Sequence, residues 1–305
     1  MPDTMKVAIL GSGYIGTDLL IKVLRSQYLE CALFIGRNLS SPGMAKANSL
    51  GVPISDRSID ALITAPDCCE LVFDATSALD HKRHWAVLQK LGKRVIDLTP
   101  SKLGKMCVPA VNLLECLNSP NINMVSCGGQ TSIPLAYVIG QVYDQVDYIE
   151  VVSSIASRSA GPATRINIDE YVETTEQGLS LFSGCPRTKV ILNLNPAQPC
   201  INMQTTLSAQ VREPNLTLLT PAVEAMVARI REYVPGYEML VPPTVESNRI
   251  VMMVKVRGLG DYLPQYAGNL DIINCAALAA AEAFAKHHRS ASPKGVSHAS
   301  SHSPE

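Results

Sequence analysis

The chain has 305 residues, 47% of them hydrophobic and only 17% charged, and its formal net charge is −1. This length predicts about two domains with sizeable cores. The near-zero charge gives no indication of a nucleic-acid or anionic-membrane partner. No apolar stretch reaches the roughly 18 residues of a membrane span, and the N-terminal residues lead straight into a strand, which leaves no room for a signal peptide.

Nine cysteines and six histidines occur along the chain. The cysteine number is odd and no pair has CxxC spacing, which favours buried thiols in a reducing, cytoplasmic compartment over disulfides. The histidines form no metal-ligand pattern with cysteines or carboxylates, so we predict no metal site.

The first part of the chain alternates short apolar runs with helical patterns. Strands are predicted at residues 7–10, 31–35, 71–73, 95–98 and 122–126. Buried strands that alternate with helices are typical of a parallel doubly wound sheet, whose ligands bind beyond the carboxyl ends of the strands. We predict a Rossmann-type α/β domain over residues 1–126 that binds NAD, with a helix at 270–287 packing back on it.

Beyond residue 126 the predicted strands become longer and the crossovers fewer. The strands are predicted at 148–156, 189–194 and 250–257, and a helix at Pro221–Tyr233 has Thr220 as its cap. This pattern favours a mixed or antiparallel sheet, and therefore a catalytic and dimerisation domain of α+β type over residues 127–269. Residues 288–305 are rich in Ser, His and Pro without periodicity, which predicts disorder.

A GxGxxG sequence follows the first strand directly and opens a helix. In the nucleotide-binding interpretation the first glycine makes the turn, the second admits a pyrophosphate, and the third allows close packing of helix and strand. A plain glycine-rich turn is the alternative. The residues are Gly11, Ser12, Gly13, Tyr14, Ile15 and Gly16.

The end of the second strand selects between NAD and NADP. Instead of an acidic residue that would bind the ribose hydroxyls of NAD, the sequence has Gly36-Arg37-Asn38. Arg37 can receive a 2′-phosphate, while Asn38 can still bond a hydroxyl, and a solvated loop arginine is equally compatible with the sequence. The choice between NAD alone and both NAD and NADP therefore stays open at this point.

Cys127 lies between the β-like run and a helix that starts at once, in Ser126-Cys127-Gly128-Gly129. A sulfur at a helix N-terminus feels the positive end of the dipole, which favours the thiolate. The two glycines let a substrate carbonyl approach backbone N–H groups that can hold an oxyanion. We predict that Cys127 is a nucleophile that forms a covalent thioester in an aldehyde-oxidising enzyme. No histidine is placed to pair with it.

Two later segments have the composition of ligand-contacting loops. The later of the two segments opens the last helix of the chain. Its Asn269 can cap that helix, or it can bind a nicotinamide carboxamide or a substrate oxygen. The first joins a long strand to a helix, and its arginine can contact an anion, although a plain turn has the same composition. Its residues are Ser159, Ala160, Gly161, Pro162, Ala163, Thr164, Arg165, Ile166 and Asn167.

Taken together, these segments resemble the acylating acetaldehyde dehydrogenases of aromatic-degradation pathways. The resemblance runs from about Met5 to His287. Its motifs are residues 11–16, Asp74-Ala75-Thr76-Ser77, Ile96-Asp97-Leu98-Thr99-Pro100, residues 123–130, residues 159–170, Asn193-Leu194-Asn195-Pro196-Ala197 and residues 266–271.

The resemblance implies the reaction and the architecture. The family oxidises acetaldehyde with NAD and coenzyme A to acetyl-coenzyme A, on a glyceraldehyde-3-phosphate dehydrogenase-like fold that dimerises through its second domain. Carried over by position, Cys127 is the acyl-thioester nucleophile, while residues 12–15, residues 159–167 and Asn269 contact NAD. Members commonly bind a 4-hydroxy-2-oxovalerate aldolase and receive the aldehyde through a channel, so a hetero-oligomer is a further expectation.

The chain departs from the family pattern at three places. Thr205 stands where members often carry an aspartate, a candidate acid or base, so that role is unassigned. The Pro242–Arg249 connection is shorter than in many members, and the terminal tail is an addition.

Two rival functions remain. One is an NADP-dependent semialdehyde or acyl-phosphate reductase, although the second domain is poor in the histidine such enzymes use. The other is a non-catalytic dinucleotide sensor in which Cys127 is a structural thiol.

Overall fold

The computed structural model describes residues 4–291 and contains two sheets. The first has seven parallel strands in the order β3-β2-β1-β4-β5-β7-β6. Its central strands are buried on both faces, which explains why β4 is a continuous apolar run ending in an acid. The strands are β1 (Met5–Leu10), β2 (Leu29–Ile35), β3 (Ile54–Ser55), β4 (Leu71–Asp74), β5 (Arg94–Asp97), β6 (Lys105–Met106) and β7 (Asn121–Asn123).

Helices cover both faces of this sheet. Those on one side pack with the last helix of the chain, α10 (Gly268–Ala291), which lies against α1. Helix α10 therefore packs on elements of the first sheet's layer, although it follows the second sheet in the chain. The other helices are α1 (Tyr14–Arg25), α2 (Pro42–Ser49), α3 (Asp60–Thr64), α4 (Ala78–Leu88) and α5 (Pro109–Cys116).

The second sheet has five strands in the order β11-β12-β10-β8-β9, and all neighbours are antiparallel except β8 and β9. Along β10 and β12 every second side chain is buried, since one face packs on α6, α8 and α9. The elements are α6 (Cys127–Val142), β8 (Val146–Ala156), α7 (Pro162–Ile166), α8 (Ile168–Ser183), β9 (Thr188–Asn195), β10 (Met203–Val211), α9 (Leu216–Arg231), β11 (Tyr237–Glu246) and β12 (Arg249–Val256). The predicted fold class, a Rossmann-like sheet followed by an α+β unit, is confirmed.

Several predicted boundaries were wrong for local reasons. The helix predicted at Pro221–Tyr233 begins at Leu216, because the Asn215 side chain accepts the Thr217 N–H at 3.0 Å and caps it. Most of the Pro242–Arg249 connection is strand β11, which reaches β12 through a two-residue turn at Ser247-Asn248, both with positive φ.

Two further differences concern strands and the tail. Strand β10 and most of β11 were not predicted, although β10 lies at the centre of the second sheet. Helix α10 continues to Ala291, so the first residues of the predicted disordered tail are helical. Residues 292–305 lie outside the described part of the chain. None of the helices within residues 4–291 combines the length and apolar composition needed to span a bilayer.

A buried cluster of charges joins α1, α10 and the loop after β12. The Lys22 ammonium lies 2.7 Å from a carboxylate oxygen of Asp261, 2.7 Å from Asp271 and 3.3 Å from Asp18. The carboxylate oxygens lie within 4.8 Å of one another, as metal ligands do, but here the cation is the chain's own lysine. The cluster therefore fixes α10 and the loop after β12 against the first domain.

Replacing Lys22 by Met should destabilise the protein by about 3–5 kcal/mol, because the carboxylates of Asp18 and Asp271 would stay buried without their counter-ion, while Asp261 keeps its ion pair with Arg25. The measurement is the urea midpoint of unfolding. The matched control is Lys82→Met, which removes an exposed lysine from α4 and should leave the midpoint unchanged. Equal midpoints for both variants would contradict this role of Lys22.

Candidate active site

A cavity of about 710 Å³ opens at the carboxyl ends of the parallel strands, between β1 and β4, where the strand order reverses. This is the position at which doubly wound sheets bind their ligands. Five residues of the GxGxxG segment line it: Gly11, Ser12, Gly13, Tyr14 and Ile15.

The three glycines of the segment have different surroundings. Gly11 has φ +119°, and a Cβ there would lie 2.5 Å from the Ala75 carbonyl oxygen, so the turn requires glycine. A Cβ on Gly16 would lie 1.8 Å from the Gly11 oxygen, whereas one on Gly13 would meet nothing within 4 Å. Gly16 therefore serves helix packing outside the cavity, and Gly13 leaves its backbone open to a ligand.

Arg37 and Asn38 both line the cavity at the end of β2, and Arg37 is exposed. The Asn38 side-chain oxygen accepts the Ser40 N–H at 2.9 Å. Its amide nitrogen is therefore the group that would donate a hydrogen bond to a ligand. Both side chains that the sequence analysis considered for cofactor selection are thus at the rim of the same cavity.

Part of the 159–167 segment faces the cavity and part supports it. The lining residues are Gly161, Pro162, Thr164, Ile166 and Asn167. Ser159 and Ala160 are buried and do not line it. Arg165 donates to the Ala160 and Ser157 carbonyl oxygens at 3.0 and 3.1 Å, so its guanidinium stabilises the loop itself rather than facing an anion. The side chain of Ala163 lies outside the described part of the structure.

A second, smaller cavity of about 70 Å³ contains Cys127. It shares lining residues with the large cavity, namely Ile15, Thr76, Thr164, Asn167 and Leu270. Asn269 also lines it, and both polar atoms of its amide are buried without a hydrogen-bond partner among the described residues. The structure thus brings Asn269 to Cys127, and it places the amide inside α10, which begins at Gly268, rather than at its cap.

The backbone before Cys127 is a strained turn. The strand β7 ends at Asn123, three residues earlier than the predicted run, and Val125 adopts φ +63°. That conformation is costly for a β-branched residue; the Asn123 side chain supports it by accepting the Val125 N–H at 2.9 Å. The Ser126 hydroxyl then accepts the Gly129 N–H at 2.9 Å and caps α6, so Cys127 occupies the first helical position.

The two glycines after Cys127 do not have the predicted role. A Cβ on Gly128 would lie 2.0 Å from the Tyr171 hydroxyl, and one on Gly129 would lie 2.7 Å from a methyl group of Val125. Their missing side chains leave room for protein atoms rather than for a substrate. The N–H of Gly129 is also occupied by the Ser126 cap, so it is not available as the predicted oxyanion donor.

Burial raises the pKa of Cys127 to about 11, while Tyr171 and the backbone N–H groups of Gly128 and Cys127 lower it by less. Burial therefore outweighs the hydrogen bonds that favour the thiolate. The thiol is protonated at neutral pH because its surroundings are apolar, although it does sit at the helix N-terminus.

A buried network under the large cavity was missed by the sequence analysis. Asp74 binds His81 and His84, each at 2.9 Å, and accepts the Thr76 hydroxyl at 2.5 Å. Burial would raise the pKa of Asp74, but hydrogen bonds from both histidines lower it to about 2. Adjacent in the sheet, Asp97 has its pKa raised to about 6 by burial. The sequence contained a signal for this network: β4 and β5 both end in an aspartate, and the helix after β4 carries two histidines.

This network holds Thr76, which lines both cavities. Thr205, which stands where family members often carry an aspartate, is buried on β10 and shares a 2.9 Å hydrogen bond with the Ser153 hydroxyl. It lines neither cavity, so it approaches the site only through Ser153.

A Rossmann-like sheet joined to a mixed-sheet unit, with a cavity at the strand-order reversal, defines the α/β dehydrogenase class. Residues 127–264 match the family described as prokaryotic acetaldehyde dehydrogenase, dimerisation. An acetaldehyde dehydrogenase of Pectobacterium atrosepticum is 59% identical over 280 residues, which are 91% of this chain and 95% of that protein. One of Spirochaeta aurantia is 58% identical over 282 residues, 92% and 95% of the two chains. The chain belongs to the acetaldehyde dehydrogenase family.

The family membership confirms the predicted enzyme class, an oxidoreductase that acts as an acetaldehyde dehydrogenase. It implies a dinucleotide cofactor. The matched dimerisation domain supports a homodimer.

Alkylation of Cys127 by iodoacetamide should accelerate about tenfold per pH unit between pH 7 and pH 9, because a thiol with a pKa of about 11 gains thiolate over that whole range. The rate is measured by mass spectrometry of the Cys127 peptide. The same peptide in urea-unfolded protein is the control, and its rate should level off near pH 9. A native rate that is already constant above pH 7 would contradict the raised pKa.

Proposed function

We propose that this protein oxidises acetaldehyde with NAD and coenzyme A, giving acetyl-coenzyme A and NADH through an acyl thioester on Cys127. The observation that carries the proposal is the position of Cys127: it lines a small cavity that shares its lining with the large cavity at the GxGxxG turn. A nucleophile and a dinucleotide can therefore meet at one substrate.

The residues along the two cavities fit a nicotinamide dinucleotide. The open backbone at Gly13 leaves room for a pyrophosphate at the start of α1. The unpartnered Asn269 amide offers one acceptor and a donor group, which complement the carboxamide of nicotinamide. When bound, NAD supplies the hydride acceptor and a positive charge that favours the thiolate.

The chain's own residues perform the covalent part. The sulfur of Cys127 attacks the aldehyde carbon, and the carbonyl oxygen becomes an oxyanion near the start of α6. After the hydride has left, a thioester remains on Cys127. The thiol of coenzyme A attacks that thioester, the bond to the Cys127 sulfur breaks, and the coenzyme A thiol proton ends on the departing sulfur. Thioester exchange is nearly neutral in energy, so the site has to exclude water rather than activate it. The apolar lining residues Leu98, Val125 and Ile273 serve that exclusion.

The proposal extends to the cofactor and to the setting of the reaction. The family resemblance supports NAD over NADP, and it supports a 4-hydroxy-2-oxovalerate aldolase as a partner that supplies the aldehyde. All nine cysteines are free in the described structure, which supports a cytoplasmic location.

The decisive assay follows reduced-cofactor absorbance with acetaldehyde, adding coenzyme A, phosphate or neither. Cys127→Ala should lower kcat by more than about 10⁴-fold, because no thioester can form, while NAD binding measured by calorimetry stays intact. The matched control is Cys185→Ala, a buried thiol of the same domain that lines neither cavity. Turnover that persists without Cys127, or that needs phosphate instead of coenzyme A, rules the proposal out.

Arg37→Ala should lower kcat/KM for NADP by about tenfold and change the value for NAD by less than about twofold, because a guanidinium favours a 2′-phosphate over a hydroxyl. Both cofactors are compared at saturating acetaldehyde and coenzyme A. An equal loss with both cofactors would mean that Arg37 contacts a group they share.

A further inference from the structure

The Tyr171 hydroxyl is the second reactive group in the small cavity. Among the described residues that line it, only Cys127 and Tyr171 carry titratable side chains. The phenol oxygen is buried and finds no hydrogen-bond partner of normal geometry among the described residues. It lies beside the Cys127 thiol, the Ser153 hydroxyl and the Gly128 N–H, which are close enough to shift its pKa. Because no protein group satisfies this hydroxyl with normal geometry, it keeps the capacity to bond a ligand held beside the nucleophile.

Helix α8 holds this hydroxyl in place through the cap of α6. Thr175 lies one turn after Tyr171, and its hydroxyl accepts or donates a 2.6 Å hydrogen bond with Ser126. Ser126 in turn accepts the Gly129 N–H. The residue that caps the nucleophile's helix is therefore also the residue that anchors α8, so Tyr171 and Cys127 are positioned as one unit.

The absence of a side chain at Gly128 makes the approach possible. A Cβ at that position would come within 2.0 Å of the Tyr171 oxygen. Any other residue at position 128 would displace the phenol from the start of α6. The glycine thus provides space for a protein hydroxyl directly next to the nucleophile.

We propose that Tyr171 is a catalytic residue whose O–H donates a hydrogen bond to the oxyanion formed when Cys127 attacks a carbonyl carbon. This inference rests on the proposed function and adds a donor to it. The N–H of Gly129 is engaged by Ser126, which leaves the start of α6 with fewer free donors than the sequence predicted.

The step is a simple addition. The thiol proton of Cys127 passes to solvent water, the carbon–sulfur bond forms, and the π pair of the carbonyl moves onto oxygen. That oxygen is two bonds from the sulfur and within reach of the phenol. When the hydride leaves, the pair returns and the carbonyl re-forms, so Tyr171 neither gains nor loses its proton. Burial and the neighbouring thiol keep the pKa of Tyr171 well above its usual range, so the phenol stays a donor at working pH.

Tyr171→Phe removes only the hydroxyl and tests the proposal. We expect kcat/KM for acetaldehyde to fall by about 10²–10³-fold, the usual cost of one oxyanion donor. The rate of Cys127 acylation by p-nitrophenyl acetate, which passes through a similar oxyanion without NAD or coenzyme A, should fall comparably. Alkylation by iodoacetamide forms no oxyanion and should stay within about threefold of wild type.

The matched control is Tyr233→Phe. Within residues 4–291 its buried hydroxyl likewise has no hydrogen-bond partner, but it lines neither cavity, so all three rates should equal those of wild type. Unchanged acylation and turnover in Tyr171→Phe would overturn the proposal. A parallel loss in all three reactions would also overturn it, because Tyr171 would then act on the thiol and not on the oxyanion.

Acylation by p-nitrophenyl acetate and oxidation of acetaldehyde are measured separately, so the role of Tyr171 and the proposed function can fail independently. If wild-type protein does not oxidise acetaldehyde but is acylated in a Tyr171-dependent way, the proposed function fails and the role of Tyr171 stands. If acetaldehyde is oxidised equally well by wild type and Tyr171→Phe, the function stands and the role of Tyr171 fails.

Discussion

The hydrogen bond from the Gly129 N–H to the Ser126 hydroxyl, 2.9 Å long, is the interaction on which the site depends. It ends the irregular turn after β7 and starts α6, so it decides that Cys127 occupies the first turn of a buried helix. Because Ser126 also bonds Thr175, the same cap docks α8 and brings Tyr171 to the nucleophile. One local motif thus joins the end of the parallel sheet to the second domain.

Burial determines the chemical state of the two reactive groups. The cavity that contains them is lined mainly by apolar and uncharged side chains, and burial raises the pKa of both Cys127 and Tyr171. The Cys127 thiol consequently stays protonated unless a positive charge binds beside it, whereas the Tyr171 phenol stays protonated and remains a hydrogen-bond donor. The same apolar lining that suppresses the thiolate also protects a thioester from water. Reactivity and protection therefore have one physical origin.

Charged networks hold the framework around the cavities. Asp74 and Asp97 end neighbouring strands, and hydrogen bonds from His81 and His84 keep the Asp74 carboxylate ionised beneath Thr76. Lys22 lies within ion-pair distance of three carboxylates where α10 meets the first domain, and Arg25 also pairs with one of them, Asp261. Buried charges of this kind add little net stability, but they specify one arrangement because each loses its partner in any other. The cavity walls are consequently set by pairings that tolerate few alternatives.

The sequence by itself determined the features that depend on neighbouring residues. Alternating apolar runs indicated the parallel sheet, the GxGxxG spacing placed the nucleotide turn, and Ser126-Cys127 marked a capped helix start, since strand period, turn chemistry and capping all act within a few residues. Only the tertiary structure decided the pKa of Cys127, the atoms that fill the space beside Gly128, and the approach of Tyr171. Tyr171 follows Cys127 at a distance along the chain that no local pattern bridges, and burial arises only when α6, α8 and α10 close around the cavity. Electrostatic environment is a property of that closure, and this is why it could not be predicted from residue order.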